Sequence, residues 1–326
     1  MIITKTPFRV SLFGGGTDHP DWFNKYGGAV VSMAIDKYCY ISAREFPPFF
    51  DHKYRISYSK IERVNHPDQI EHPAVREAIK NFLPEKGLEI QHHADLPGRS
   101  GLGSSSAFAV GLINALLGLD GQEKNASEIA DLAIDLERNH IGETVGYQDQ
   151  IACALGGINE IRFEKKNKWD VNRLEIGLEN QEFLENSMFL VYSGIERISS
   201  DISKSLLDNL DKKQKFFEKT HLLALEATKI LTSGSDLSIF GEMLYESWFL
   251  KKESNPAAIS PNLQKFWESG LENGATGGKI LGSGGGGFLL FWVPIQKRAK
   301  FISSISESKI VPIKISMKGT ERLINI

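Results

Sequence analysis

"PGRSGLGSSSAFAVG", residues 97–111, sets three glycines, an arginine and three consecutive serines directly ahead of a run apolar enough to be buried. The run continues to Leu119 as AFAVGLINALLGL, hydrophobic on every side, which is the pattern of a helix without a solvent face. A helix N-terminus leaves four backbone N–H groups without intrahelical partners and carries about half a positive charge. Glycines in front of it allow the backbone to come close to a ligand, and serine hydroxyls add donors. Together these make an anion cradle, in which one hydroxyl can also face a divalent cation. A competing reading has Ser104 to Ser106 capping a core helix, with the glycines as its entry turn. The stretch is not the usual P-loop, because no G-x-x-x-x-G-K-[ST] occurs in the chain.

Composition narrows the field around that stretch. The chain has 326 residues, 41% of them hydrophobic and 24% charged, enough for a large core and for two domains. A net charge of −3 and a pI near 6.3 offer no basic face for nucleic acid and no polybasic cluster for an anionic membrane. An anionic ligand must therefore meet local positive potential. The two cysteines, Cys39 and Cys153, lie in apolar contexts, which argues against a disulfide framework and suits a reducing cytoplasm. The N-terminal MIITKTPFRVSLFGGG alternates and turns where a signal peptide would run apolar, and no apolar run reaches the ~18 residues of a membrane span.

Along the chain, IITKTPFRVSLF predicts a strand ending at Gly14–Gly16, and AVVSMAIDKYCYISARE one or two more. Residues 46–73 are expected to form a loop with one short strand around Tyr54–Tyr58, followed by a strand in LEIQHHADL. A helix with Ser127 as N-cap should run to about His140, and a short one through YQDQIACAL should close at Gly156 and Gly157. INEIRF and VNRLEIG, joined by EKKNKWD, suggest a hairpin. The second half opens with the strand MFLVYSG and passes through several helices between about Ser199 and Asn273. It ends with GGKILGSGGGGFLLFWV, a helix over Ile295–Ser304 and the strands VPIKISM and RLINI. The sequence thus predicts an α+β protein with antiparallel or mixed sheets covered by helices, divided into domains at 1–185 and 186–326.

Two further features point at chemistry. Between Gly277 and Gly287 seven of eleven residues are glycine, and GSGGGG matches G-x-G-x-x-G. The segment after it, FLLFWV, reads as a strand rather than a helix, so the dinucleotide fingerprint fails, and close packing against another loop is the better reading. Glu137 follows Ala130, Ala133 and Ile134 at helical offsets, at the edge of an inward face where a carboxylate needs a partner or a cation. Twelve residues on, Asp149 opens a short, otherwise small and apolar helix. Two carboxylates beside a phosphate cradle suit Mg²⁺-dependent phosphoryl transfer, although a buried salt bridge for Glu137 and an N-cap for Asp149 explain each singly. His92 and His93 face opposite sides of a strand, and His66 and His72 lack a third ligand in spacing, so no transition metal is expected.

The order TPFRVSLFGGGTD, LPGRSGLGSSSA, GYQDQIACALGG and GGKILGSGGGGF resembles the GHMP small-molecule kinases over nearly the whole chain, and is most similar to the bacterial heptose 7-phosphate kinases among them. The resemblance implies a two-domain fold, with an N-terminal domain like domain 2 of ribosomal protein S5 and a ferredoxin-like C-terminal domain. It implies ATP and Mg²⁺ as cofactors and a sugar phosphate as the small-molecule partner. The expected protein is cytoplasmic, a monomer or homodimer, with no nucleic-acid or membrane partner. Pro97, Gly101, Leu102, Gly103, Ser104, Ser105 and Ser106 would wrap the ATP phosphates, with Ser105 and Glu137 on the metal. Asp149 would deprotonate or orient the acceptor hydroxyl, with Arg9 beside it. Gly15, Gly16, Thr17, Asp18, Arg197, Gly284, Gly285 and Gly286 would contact the acceptor, with Arg99 and Lys251 as further cations for its phosphate. Galactokinases carry GEHTD where this chain has GGGTD, which argues against galactose. A kinase of another sugar such as L-fucose, or a non-catalytic sugar and ATP sensor, is the alternative.

Overall fold

A computed structural model of the chain describes residues 1–195, 210–305 and 309–325. Its spine is an 18-residue strand, β2 (Gly28–Glu45), which pairs along one edge with β1 (Ile2–Phe13). The other edge of β2 is shared: Gly28–Met33 pairs with β6 (Ile158–Glu164), and Cys39–Glu45 pairs with β5 (Leu88–Ala94). β3 (Tyr54–Ser57) runs parallel to β5 and antiparallel to β4 (Ile61–Val64), and β7 (Lys168–Arg173) adds to β6. β-Branched and aromatic residues fill both long strands, consistent with burial on both faces.

The helices of the first half are α1 (Pro20–Tyr26), α2 (Pro73–Phe82), α3 (Ser104–Leu119), α4 (Ala126–Asp135), α5 (Gln148–Leu155) and α6 (Leu178–Ser187). α3 lies across β1 and β2, with every residue from Ser106 to Leu117 buried. The second half builds a four-stranded antiparallel sheet in the order β11 (Ile310–Val311), β8 (Met188–Tyr192), β10 (Phe288–Trp292), β9 (Gly277–Ile280). α7 (Gln214–Ser233) and α8 (Phe240–Ser254) follow β8, then α9 (Pro261–Glu272) and, after β10, α10 (Arg298–Ser304). α7 packs on β1 and β2 and joins the larger core, whereas Trp248 of α8 stacks on Trp267 of α9 at 4.8 Å in a second core around Phe189, Val191 and Phe291. No helix among the described residues is long and apolar enough to cross a membrane.

Several elements differ from the sequence expectation for local reasons. The N-cap of α4 is Asn125, not Ser127: its carboxamide accepts the Glu128 N–H while Glu128 accepts the Asn125 N–H, both at 2.9 Å. That reciprocal box outcompetes a lone serine two residues on. The same helix does not run regularly to His140, because Leu136–His140 widens into a π-turn that carries Glu137. Residues 46–73 hold two short strands rather than one, and the hairpin turn after β6 is only Lys165–Asn167, with Lys166 and Asn167 at φ +66° and +57°. VPIKISM forms only the short β11 and a bridge from Ile315 to Ile35. The expected division at 185/186 falls inside α6, and the last strand, β12 (Glu321–Asn325), returns to pair with β1 in the first sheet.

Candidate active site

Helix α3 begins behind two glycine runs packed backbone on backbone. Gly101 has φ +82°, and a Cβ there would lie 2.6 Å from the Leu281 carbonyl oxygen; at Gly282, φ +64°, a Cβ would lie 2.7 Å from the Gly101 Cα. Only glycine permits both the left-handed backbone and that approach. The Phe288 N–H donates to the Ser100 carbonyl at 3.0 Å and ties the runs together. The second run is therefore a β9–β10 hairpin turn docked on the first, as its strand flanks implied.

Gly103 is the N-cap of α3, φ +71°, and no side chain caps the helix. The serines are turned elsewhere: Ser104 accepts the Arg99 N–H at 3.2 Å, while Ser105 and Ser106 donate to the Glu137 carboxylate at 3.1 and 2.8 Å. The first-turn amides of α3 thus face a cavity of about 430 Å³ lined by Gly101, Gly103 and Ser104–Ser106. Glu137 is 2% exposed and also accepts a hydrogen bond from Gln150 Nε2. Burial pushes its carboxyl up to about 7, against the Ser106 and Gln150 hydrogen bonds that favour the charged form. Gln150 Oε1 is buried without a partner among the described residues. Carboxylate, hydroxyl and amide oxygens beside an anion cradle form a hard donor set that fits a divalent cation.

Across the cavity, β1 presents Arg9 to the start of α5. Its Nε and Nη2 donate to the two Asp149 oxygens at 2.8 and 2.5 Å, and Nη1 donates to the Gly101 carbonyl at 2.7 Å. The Arg9 backbone N–H reaches Leu102 O at 3.1 Å. Arg9 is 3% exposed; burial opposes its charge, but Asp149 outweighs the penalty and the guanidinium pKa is raised. One planar fork therefore fixes the carboxylate and the phosphate loop in a single unit.

Asp18 lies on the same wall, accepting the Gly16 N–H at 2.9 Å and the Gln148 N–H at 3.2 Å. Its neighbour His19 is held below the usual histidine range by burial, with Asp18 opposing. Two lysines also line the cavity. Lys251 of α8 donates to Gly282 O at 2.5 Å and Lys279 of β9 to Leu12 O at 3.0 Å, and desolvation lowers them to about 8 and about 7.

The cavity gathers Arg9, Asp149, Gly101, Gly103, Ser104, Ser105, Ser106, Gly15, Gly16, Asp18, Gly284 and Gly286 of the expected residues. Glu137 stands directly behind its serines. Others do not reach the cavity. Pro97 is exposed, Leu102 is fully buried, and Gly285 spends its N–H on Ala258 O at 2.7 Å. Thr17 is buried too, its hydroxyl 2.8 Å from Gly14 O and 2.9 Å from Ala29 O, so it knots the glycine turn to β2. Arg197 falls outside the described residues. Sequence reasoning missed Lys279, whose signal was the lysine inside GGKILGSGGGG, and the supporting amides of Gln148 and Gln150, whose signal was the QDQ around Asp149.

Known proteins resemble the chain along its length. The chain matches the N-terminal domain of the GHMP kinases over residues 72–157 and their C-terminal domain over residues 224–308. It is 30% identical to the D-glycero-alpha-D-manno-heptose 7-phosphate kinase of Campylobacter jejuni over 94% of both chains. It is 26% identical to the mevalonate kinase of Methanocaldococcus jannaschii over 95% of this chain and 97% of that one. With the bifunctional fucokinase/GDP-fucose pyrophosphorylase of Arabidopsis thaliana it shares 26% identity, spanning 30% of that longer protein. Among solved structures, a D-glycero-D-manno-heptose 1-phosphate kinase from Bacteroides thetaiotaomicron superposes with a TM-score of 0.81 over 99% of each chain at 23% identity, a likeness of fold. Matched in both halves and along its length, the chain belongs to the GHMP kinases and is a phosphotransferase of that family.

Proposed function

We propose that this chain is a cytoplasmic sugar kinase that transfers the γ-phosphoryl group of ATP, with Mg²⁺, to the anomeric hydroxyl of D-glycero-D-manno-heptose 7-phosphate. The product is the 1,7-bisphosphate, a precursor of nucleotide-activated heptose for surface polysaccharide. The observation that carries this reading is the Arg9 fork, which holds Asp149 and Gly101 together, so that the acceptor base and the phosphate loop cannot move independently. The heptose is carried over from the relative in Campylobacter jejuni, which matches 94% of the chain.

The α3 amides and the Ser104 and Ser105 hydroxyls would bind the phosphates of ATP. Glu137 and Ser105 would hold Mg²⁺, which when bound neutralises charge on the transferring phosphoryl oxygens. Asp18 would accept hydrogen bonds from sugar hydroxyls, with Gly16 and Gln148 fixing its carboxylate. Asp149 would take the proton of the anomeric hydroxyl as its oxygen bonds to the γ-phosphorus and the bond to the β-phosphate oxygen breaks, releasing ADP. Arg9 would offset the developing charge without leaving either partner.

The test is ADP release from the purified chain with ATP, Mg²⁺ and a panel of heptose, mannose, fucose and galactose, each with and without a terminal phosphate, with the product position read by phosphorus NMR. Preferred turnover of heptose 7-phosphate at C1 is the expected result. Preferred turnover of free fucose, or indifference to the terminal phosphate, overturns the acceptor assignment. A chain that binds ATP and releases no ADP with any sugar is a sensor.

A further inference from the structure

Lys251 and Lys279 line the cavity, yet neither has a carboxylate within ion-pair distance among the described residues, although Asp18, Asp149 and Glu143 line the same space. Among the described residues each amine has one backbone carbonyl as partner, which leaves capacity for a further hydrogen bond on both. Placing two cations and Arg9 around one recess costs desolvation and mutual repulsion, which lowers both lysines. An unpaired buried amine either gives up its proton or is completed by an anion, and an anion bound between the two would restore the charge of both.

Lys251 projects from α8, which packs on β9, and its amine meets Gly282 O on the glycine run docked against Gly101. Lys279 is anchored at Leu12, three residues beyond Arg9 along β1, toward Gly14–Gly16 and Asp18. Ser247, one turn before Lys251, and Thr220 of α7 supply hydroxyls on the same wall.

We propose that Lys251, supported by Lys279, is the subsite that grips the acceptor's remote phosphate and so sets the preference for a phosphorylated sugar. This rests on the sugar-phosphate kinase reading above. The acceptor then spans the cavity, its reacting hydroxyl at Asp149 and its phosphate at Lys251, with Asp18 and the glycine turn along its length.

The experiment compares wild-type chain, Lys251→Met, Lys251→Gln and Lys251→Arg, each checked for an unchanged melting temperature, using heptose 7-phosphate and the same heptose without phosphate. Lys251→Met and Lys251→Gln should lower kcat/KM for the phosphorylated acceptor by about ten- to hundred-fold, the loss of one charge-assisted hydrogen bond. The KM for ATP and kcat/KM for the unphosphorylated heptose should change by less than about threefold, and Lys251→Arg should recover most of the loss. An equal loss on both acceptors, or a raised KM for ATP, overturns the subsite while leaving the kinase assignment standing. A wild-type chain indifferent to the acceptor phosphate removes the acceptor assignment itself, and the subsite with it.

Discussion

Replacing Gly101 by alanine tests the packing on which the site depends. The new Cβ would lie 2.6 Å from Leu281 O and 2.8 Å from Leu281 C, both backbone atoms of the residue after β9, and the residue would keep φ +82°. A left-handed conformation costs a non-glycine residue about 1–2 kcal/mol. Relieving the overlap requires one glycine run to back away from the other, at the cost of overpacking, about 1–3 kcal/mol. The sum, about 2–5 kcal/mol, is a large part of the stability of an ordinary domain. Because the Gly101 carbonyl accepts Arg9 Nη1, the displacement also reaches Asp149. Gly98 is the internal control: it lies in the same loop, and a Cβ there meets nothing within 4 Å. Urea denaturation should therefore place Gly101→Ala several kcal/mol below Gly98→Ala, and kcat for phosphoryl transfer should fall with it. If the two variants unfold together and turn over alike, the docked glycine runs are not what holds the loop.

The same contacts set three other outcomes. Asp149→Asn should reduce kcat by about a thousandfold or more while nucleotide affinity, measured by calorimetry, changes less than threefold, because the base is lost and the amide cradle remains. Glu137→Gln should raise the Mg²⁺ concentration needed for half-maximal rate about tenfold or more; an unshifted Mg²⁺ titration would remove Glu137 from the metal site. Lys279 has its pKa lowered from 10.5 to about 7, so between those values the unfolded chain binds a proton that the native lysine does not, and stability rises with pH. Lys279→Met should flatten that rise by about 2 kcal/mol after discounting for partial exposure, as read from melting curves at pH 7 and 10; an unchanged slope would show the amine to be charged in the native state.

How far the sequence reveals this site depends on whether the deciding interaction is local. The helix behind Ser104 was legible because its apolar run and glycine entry lie within one stretch, and the strand after GSGGGG marked that segment as close-packing backbone rather than a dinucleotide fingerprint. Arg9 and Asp149, by contrast, are 140 residues apart, and only the pairing of β1 with β2 and the packing of α5 on both bring them within 2.5 Å. The family pattern pointed to that pair where residue spacing alone did not. The errors have the same origin. Ser127 was outcompeted by a reciprocal cap two residues earlier, and Thr17, polar and beside Asp18, turned inward because Gly14 and Ala29 carbonyls lay within reach after β2 folded back.

Lys279 shows the limit most clearly. In the sequence it is one cation in a glycine-rich hairpin, indistinguishable from a solvated surface charge. Its significance comes from what surrounds it: the β9–β10 turn docks on Gly101, and the half-buried lysine at its root reaches β1, where Leu12 O holds it. Glycine's missing side chain thus acts at a distance, since the contact that shapes the phosphate loop also desolvates the Lys279 amine. Polar residues in this fold take their chemistry from the backbone segments packed over them, and those segments come from both halves of the chain.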